Sequence, residues 1–221
     1  MQDTIPLAVK VWADHACFTR PEMKVERVSY PVMTPSAARG VLESVLWKPE
    51  MQWRIEAIEV LRPIRYFSIL RNEVNSVASE RSARAWEKSG GGFFADEDRA
   101  QRHTLALRDV AYIIRAQIDV HPHANADVAK YRDQFRRRVA SGRCFSRPYL
   151  GCREFAANFS EPDGSERPID VSDNLGPILF DLAYPAGGVV VGKSAARPRF
   201  FTAELDRGVL RVPQELYTRG G

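Results

Sequence analysis

The order of two hydrophobic periodicities is the sequence feature that most constrains how this chain can fold. Apolar residues at every second position predict strands over 5–18, 51–64, 66–70 and 105–120, and one slip in the second of these alternations indicates a β-bulge. Apolar residues three or four positions apart predict helices elsewhere. Taken in order to about Phe155, we interpret the elements as strand, helix, strand, strand, helix, strand. That order is typical of a ferredoxin-like α+β domain.

The two predicted helices have recognisable ends. The first begins where Thr34 precedes Pro35, because a hydroxyl residue followed by proline is typical of an N-cap and first helical position. The second is capped by Asn125 or Asp127 and stops near Gly142. Its apolar stripe comprises Val128, Tyr131, Phe135 and Val139, and the cations Lys130, Arg136 and Arg137 lie off that stripe.

Composition divides the remainder of the chain. The stretch 71–103 is polar, rich in Ser, Glu and Arg, and contains three consecutive glycines, so we predict a long mobile insertion there. The predicted domains are a ferredoxin-like domain over 1–155, which carries this insertion, and a small antiparallel β extension over 156–221. Strands of the extension are predicted near 178–184, 199–205 and 209–212, with a tight hairpin at 206–208.

Positive charge is concentrated in one segment. The whole chain carries a net charge of +4, which alone says little about partners. Between Asp127 and Arg153, however, eight cationic residues stand against two acidic ones, giving +6 and leaving −2 for the rest. A segment whose net positive charge exceeds that of the whole chain is suited to binding a polyanion, because each neutralised phosphate releases condensed counterions. The alternative is an ordinary solvated helix face.

Several classes of protein are disfavoured by the composition. Three cysteines, Cys17, Cys144 and Cys152, have no paired spacing, so neither a disulfide framework nor a structural zinc site is predicted. His121 and His123 have no third ligand nearby, and no cofactor or metal is expected. The first apolar stretch is interrupted by charged residues, so we expect no export signal. The most apolar stretch is interrupted by a charged residue, a proline and glycines, so we expect no membrane span. We therefore expect a cytoplasmic location.

Four sequence strings resemble one known family. The run CFTRPEMKVERVSY at 17–30 resembles the opening of the CRISPR pre-crRNA-processing endoribonucleases of subtype I-C. The segments MTPSAARGVLE at 33–43 running on to WKP at 47–49, FRRR at 135–138 and LGCREF at 150–155 are also similar to landmarks of that family, in the same order. Strings of this length are specific, and they span the chain to about Phe155.

The resemblance implies both a fold and an activity. It implies a member of the RAMP superfamily, with a ferredoxin-like domain resembling an RNA-recognition motif and a C-terminal β-sheet extension. It also implies metal-independent cleavage of the CRISPR repeat transcript and retention of the mature crRNA within the type I-C interference complex. The implied partners are therefore the repeat RNA, the crRNA and the other subunits of that complex.

The resemblance also implies a catalytic set, from which this sequence departs at two positions. The family has a tyrosine directly before W-K-P and a Lys-His pair shortly before F-x-R-R. Here Leu46 stands at the tyrosine position, Lys130 matches the lysine, and Tyr131 replaces the histidine. Lys130 can stabilise charge on the phosphorane, or serve only as a phosphate clamp. Tyr131 can donate a proton to the leaving group, or simply complete the apolar stripe.

Further cations near the family landmarks are candidates for holding RNA: Lys24, Arg27, Arg39, Arg136 and Arg137. We expect these cations and the second helix to converge on one surface. His15, Tyr30 and His103 are the residues that could cover missing catalytic functions. Two further hypotheses remain open: a non-catalytic crRNA-binding subunit of the same complex, and a face that grips duplex DNA, because phosphate contacts do not distinguish polymers.

Overall fold

The computed structural model describes residues 5–23, 25–76, 79–183 and 197–218, and Lys24 lies outside them. Nine strands and four helices occupy these residues. In chain order they are β1 (Leu7–Ala16), β2 (Arg27–Val28), α1 (Pro35–Val45), β3 (Met51–Val60), β4 (Tyr66–Val74), α2 (Glu80–Ser89), β5 (Arg99–Val120), α3 (Val128–Ala140), β6 (Asn158–Ser160), β7 (Asp173–Ala183), β8 (Arg197–Asp206), β9 (Val209–Arg211) and α4 (Glu215–Thr218).

One large sheet joins all the strands. Its order is β6-β1-β5-β3-β9-β8-β7, and β2 and β4 pair with a further part of β5. Every pairing is antiparallel except that of β2 with β5. The bulge predicted in the 51–64 strand is confirmed, since the β3–β5 register shifts between Ile55 and Ala57. The α+β class predicted from the periodicities is confirmed, and the described strands form one large, mostly antiparallel sheet.

The two longer packed helices cover one face of this sheet. Trp53 on β3 lies with its ring centroid 4.6 Å from that of Phe135 on α3, and its indole nitrogen donates to the carbonyl of Leu46 at the end of α1. The start of α1 follows its local sequence, because the Thr34 hydroxyl accepts a hydrogen bond from the amide of Ala37 at 3.2 Å. The main core lies between these helices and the sheet.

The stretch 71–103, for which a long mobile insertion was predicted, includes parts of β4 and β5 and the whole of α2. β4 and the first part of β5 form an antiparallel hairpin, paired from Tyr66 opposite Leu107 to Val74 opposite Arg99. The segment of chain that connects the two strands contains α2. The strand predicted over 66–70 extends to Val74, and this outer part was not predicted because no position of β4 is fully buried and its half-buried positions include Arg71 and Glu73. Most of the described residues in this stretch therefore belong to regular elements.

The C-terminal strands form part of the same sheet as the rest. β9 pairs with both β8 and β3, so the predicted extension continues the central sheet. The tight hairpin is confirmed: Asp206 faces Val209, and Arg207 and Gly208 both have positive φ, as a two-residue type I′ turn requires. The proline and glycines between Pro185 and Gly188 also predict a turn, and that segment lies outside the described residues. No helix among the described residues is long and apolar enough to cross a bilayer.

Candidate nucleic-acid interface

The outward face of α3 carries three of the predicted site residues. Tyr131, Phe135 and Val139 are buried, whereas the Lys130, Arg136 and Arg137 side chains are exposed. A shallow groove of about 370 Å³ is lined by Lys130, Asp133, Arg136 and Arg137. The helical spacing correctly predicted which of these α3 residues are buried and which are exposed. The three cations lie on one surface of the helix.

The ion pair on this face leaves the cations available. Arg136 lies 3.6 Å from the carboxylate of Asp133, and both side chains are more than half exposed. Exposed pairs of this kind contribute at most about 1 kcal/mol, so a phosphate can displace the carboxylate at little cost. A second groove begins at the C-terminal end of α3, and its lining includes Arg137, Arg138 and Arg143.

Two arginines of the charged segment are held by the protein itself. Arg132 is buried and donates to the side-chain oxygen of Gln117 at 3.1 Å and to the carbonyl of Ile5. Arg138 donates to the carbonyl of Val45 at 2.5 Å and so joins α3 to the end of α1. Part of the charge counted in the sequence is therefore structural. Arg132 lies next to Tyr131 on the buried side of α3. Its position beside the apolar stripe could have indicated a structural role, whereas a count of charges treats every arginine as available to a ligand.

The two candidate catalytic residues point in different directions. Lys130 is exposed, whereas the Tyr131 side chain is buried with 5% of its surface exposed. Adjacent helical residues differ by about 100° around the axis, which explains the difference. Burial and then the Glu50 carboxylate raise the pKa of Tyr131. Leu46, which stands at the family's tyrosine position, is fully buried.

Arg39 forms a link between α1 and β7. Its guanidinium lies 2.7 Å from Glu43 on its own helix and 2.7 Å from Asp181 on β7. Burial alone lowers the pKa of Arg39, but the two carboxylates more than compensate and raise it. Arg39 lines neither of the α3 grooves. The expected convergence of Arg39 with α3 is thus not evident in these contacts.

Arg27 belongs to a separate polar cluster on β2 and its neighbours. Its guanidinium lies 3.3 Å from the Cys152 sulfur and 3.4 Å from the Glu73 carboxylate. Lys24, the fifth predicted RNA-binding residue, lies outside the described residues. Arg27 therefore meets protein groups, rather than the α3 face, in the free chain.

The remaining candidate side chains make ordinary packing or polar contacts. His15 packs beside Phe67 at 4.6 Å between ring centroids, Tyr30 is buried, and His103 lies within hydrogen-bonding distance of Ser68. Within the described ranges, no group of three His, Cys, Asp or Glu side chains could hold a metal ion.

Sequence reasoning missed one cleft between α1 and β7. It has a volume of about 400 Å³, and none of the described residues that line it is a cation. The sequence feature that could have indicated the cleft is Gly40, a glycine within a helix. A Cβ added at this position would meet no described atom within 4 Å, because the glycine borders open space. The lining combines apolar groups with hydroxyls: Phe18, Thr19, Thr34, Ser36, Ala37, Gly40, Ser44, Pro148, Tyr149, Gly151, Leu179 and Leu182.

Comparison with known proteins places the chain in a family. A protein named "CRISPR pre-crRNA endoribonuclease Cas5d" from Thermus thermophilus is 45% identical, with 96% of this chain and 93% of that protein covered. A protein of the same name from Mannheimia succiniciproducens is 41% identical, with 94% of each covered. Solved structures of a functionally uncharacterized Streptococcus mutans protein and of a CRISPR-associated protein each match with a TM-score of 0.65, 18% identity and coverage of 95% and 93%, which supports the fold. The sequence model of the Cas_Cas5d family, described as CRISPR-associated protein (Cas_Cas5), matches residues 6–213, and the chain belongs to that family.

Proposed function

We propose that this protein is a metal-independent endoribonuclease that cleaves CRISPR repeat RNA and remains bound to the crRNA in the type I-C interference complex. The observation that carries the proposal is the outward face of α3, where Lys130, Arg136 and Arg137 line one groove. The names of the two relatives, both pre-crRNA endoribonucleases, support the same activity. The partners are the repeat RNA, the crRNA and the other subunits of the complex, and the location is cytoplasmic.

The proposed reaction uses the RNA's own 2′-hydroxyl as nucleophile. The protein must align that oxygen with the scissile phosphate, stabilise the charge of the phosphorane and assist departure of the 5′-oxygen. We assign charge stabilisation to the Lys130 ammonium, because it is exposed beside Arg136 and Arg137, which can fix the flanking phosphates. We assign proton donation to Tyr131, which requires its buried ring to turn outward when RNA binds.

The rate of cleavage is expected to show no inflection near pH 6.5. Tyr131 replaces the family's histidine, and its raised pKa keeps the hydroxyl protonated well beyond neutral pH. Single-turnover rates measured between pH 5.5 and 8.5 at constant ionic strength provide the test. An inflection near 6.5 would instead implicate a histidine, and His15→Gln and His103→Gln would then identify which one.

Arg136 and Arg137 are proposed to bind phosphates directly. In the double variant Arg136→Ala/Arg137→Ala, the slope of log affinity against log salt concentration is expected to fall by about 1.4 to 1.8, because each lost phosphate contact contributes roughly 0.7 to 0.9. Filter binding of repeat RNA at several salt concentrations measures the slope. Arg84→Ala/Lys88→Ala on α2 removes the same charge elsewhere, and an equal change in that control would contradict a local phosphate site.

The other RNA-binding assignments are weaker proposals. Arg27 and Arg39 already meet carboxylates, so we propose that they bind RNA only by exchanging these partners. Lys24 is proposed from the family resemblance alone. A role limited to protein contacts predicts that Arg39→Ala weakens the attachment of α1 to β7 without changing the salt dependence of RNA binding.

We also propose that the central part of the chain is a ferredoxin-like domain. The antiparallel order β6-β1-β5-β3, with α1 and α3 packed on the same face, supports this classification. In this arrangement β4 and α2 are an insertion before β5. The proposed domains are 1–155 and 156–221, and β6 (Asn158–Ser160), the first strand of the second, pairs back onto β1 of the first. The continuous pairing of β3 with β9 makes the second domain an extension of the first sheet.

The second candidate function is a non-catalytic crRNA-binding subunit of the same complex. The burial of Leu46 and Tyr131 favours it, because two of the three family catalytic positions belong to the core. Incubation of the purified protein with its cognate repeat RNA in EDTA distinguishes the two functions. A single cut supports the endoribonuclease, whereas an intact but tightly bound transcript supports the binding subunit.

Duplex DNA is a further possible polymer for the same face, since phosphate contacts carry no sequence information. The same binding assay, with duplex DNA of unrelated sequences as competitor, tests it. Equal, salt-sensitive competition by every duplex would favour a general polyanion surface over a repeat-selective one.

A further inference from the structure

Two cysteines far apart in the sequence meet in a small buried cluster. Cys17 is fully buried and Cys152 is 5% exposed, and they pack together with Ala106. The Cys152 sulfur lies 3.9 Å from the Cys17 carbonyl oxygen, and the Cys17 amide donates to the carbonyl of Leu150 at 3.0 Å. The Cys17 and Cys152 side chains therefore belong to one packed cluster, in which backbone contacts join the two segments.

Gly151 makes this close approach possible. Its φ is +84°, and a Cβ at this position would lie 2.0 Å from the Cys17 carbonyl oxygen. A side chain at position 151 would force the backbone of this segment away from that of Cys17. Glycine is therefore favoured here, because it adopts a positive φ without strain and has no Cβ to clash with the Cys17 carbonyl. The Cys17–Cys152 pair is thus fixed by the fold, whereas Cys144 is exposed at the end of α3.

The surroundings favour a negative charge on one sulfur. Arg27 points its guanidinium at Cys152 from 3.3 Å, and the cluster also contains Glu73, Arg71 and Glu154. A hydrogen bond from the Cys17 thiol lowers the pKa of Cys152 to about 6 against the opposing effect of burial, and Arg27 lowers it further. That same hydrogen bond and burial raise the pKa of Cys17. The guanidinium of Arg27 lies beside Cys152, so a thiolate is favoured on Cys152 rather than on Cys17.

We propose that Cys152 and Cys17 form a peroxide-reactive dithiol, in which Cys152 is the attacking thiolate and Cys17 the resolving thiol. The Cys152 sulfur attacks one oxygen of hydrogen peroxide, the O–O bond breaks, and hydroxide leaves and takes up a proton to become water. Cys152 is thereby oxidised to a sulfenic acid. The Cys17 sulfur then attacks the Cys152 sulfur, the S–O bond breaks, and the oxygen leaves as water with the Cys17 proton. One peroxide is reduced to two waters, and the two cysteines become a disulfide.

The first step prepares the second. The Cys17 thiol is held protonated chiefly because it donates to the Cys152 thiolate. Once the Cys152 sulfur carries oxygen, that thiolate no longer exists, and the main cause of the raised pKa of Cys17 disappears. The resolving thiol is therefore activated where the sulfenic acid has formed.

Mass spectrometry of the full-length protein tests the proposal. The protein is treated with a slight excess of hydrogen peroxide, remaining thiols are alkylated, and the protein is digested without reductant. The expected product is a peptide pair joined between Cys17 and Cys152, two hydrogen masses lighter than the separate thiol peptides. The matched control Cys144→Ser removes the exposed thiol and is expected to form the same linked pair. Recovery of all three alkylated cysteines from the treated wild-type protein would overturn the proposal.

Variants separate the two roles. In Cys17→Ser, Cys152 is expected to stop at the sulfenic acid, which dimedone traps as a stable adduct. In Arg27→Leu, the pH at which peroxide consumption reaches half its maximum is expected to rise, because the guanidinium that stabilises the thiolate is gone. An unchanged midpoint in Arg27→Leu, or dimedone labelling that is equal in wild type and Cys17→Ser, would contradict the assigned roles. Circular dichroism of each variant establishes that it is folded before the comparison.

Discussion

Replacing Lys130 with alanine is expected to slow cleavage of the repeat RNA about 100- to 1,000-fold, because removal of one group that stabilises transition-state charge typically costs about 3 to 4 kcal/mol. The affinity for the RNA is expected to fall by much less, since Arg136 and Arg137 still line the same groove. Single-turnover cleavage in EDTA, with RNA binding measured in parallel, separates the two effects.

A lysine in another part of the chain provides the control for this experiment. Lys88 on α2 is exposed and lies in the hairpin insertion. Lys88→Ala removes one positive charge and is expected to leave the cleavage rate within twofold. If Lys130→Ala cleaves as fast as the wild type, or loses rate only in proportion to binding, the catalytic role of Lys130 is wrong.

Replacing Trp53 with alanine is expected to destabilise the fold by about 3 to 5 kcal/mol, as is typical when a large buried aromatic side chain is removed. Its indole is 1% exposed, contacts Phe135 on α3 and donates to the Leu46 carbonyl at the end of α1. The substitution therefore leaves a cavity and an unsatisfied carbonyl beneath the helix that carries the basic face. Urea denaturation monitored by circular dichroism gives the change in free energy of unfolding.

Trp47 is a matched control for Trp53. It lies six residues earlier with 57% of its surface exposed. Trp47→Ala is expected to change the free energy of unfolding by less than about 0.5 kcal/mol, because exposed side chains without special contacts contribute little. Similar losses in both variants would mean that the loss does not arise from the core contact between β3 and α3.

Local signals allowed much of the fold to be predicted. The Thr34-Pro35 start of α1 depends on a hydrogen bond to a residue three positions away. The apolar stripe of α3 and the 206–208 turn are likewise properties of short segments. Such features can be inferred from periodicity and turn chemistry because the interacting residues are neighbours in the chain.

Features that depend on distant residues could not be predicted in this way. Arg39 was chosen as an RNA contact, but its strong partner Asp181 is 142 positions away. Arg132 was counted as surface charge, although it contacts the carbonyl of Ile5 near the other end of the domain. Strands were predicted over 66–70 and 105–120, but the outer part of the β4–β5 hairpin, 71–74 and 99–103, was assigned to the insertion because it leaves much of both faces exposed and its polarity alternates weakly.

The uninterrupted length of β5 gives the molecule a mechanical property. At roughly 3.3 Å per residue, its 22 residues extend about 70 Å, and one end forms the hairpin while the other lies in the central sheet and contacts α3. A subunit that grips the hairpin thus pulls directly on a strand beneath the basic helix. Asp109, with a φ of 55°, lies between the part of β5 that pairs with β4 and the part that pairs with β3, so a change in the hairpin's direction reaches the central sheet through this residue.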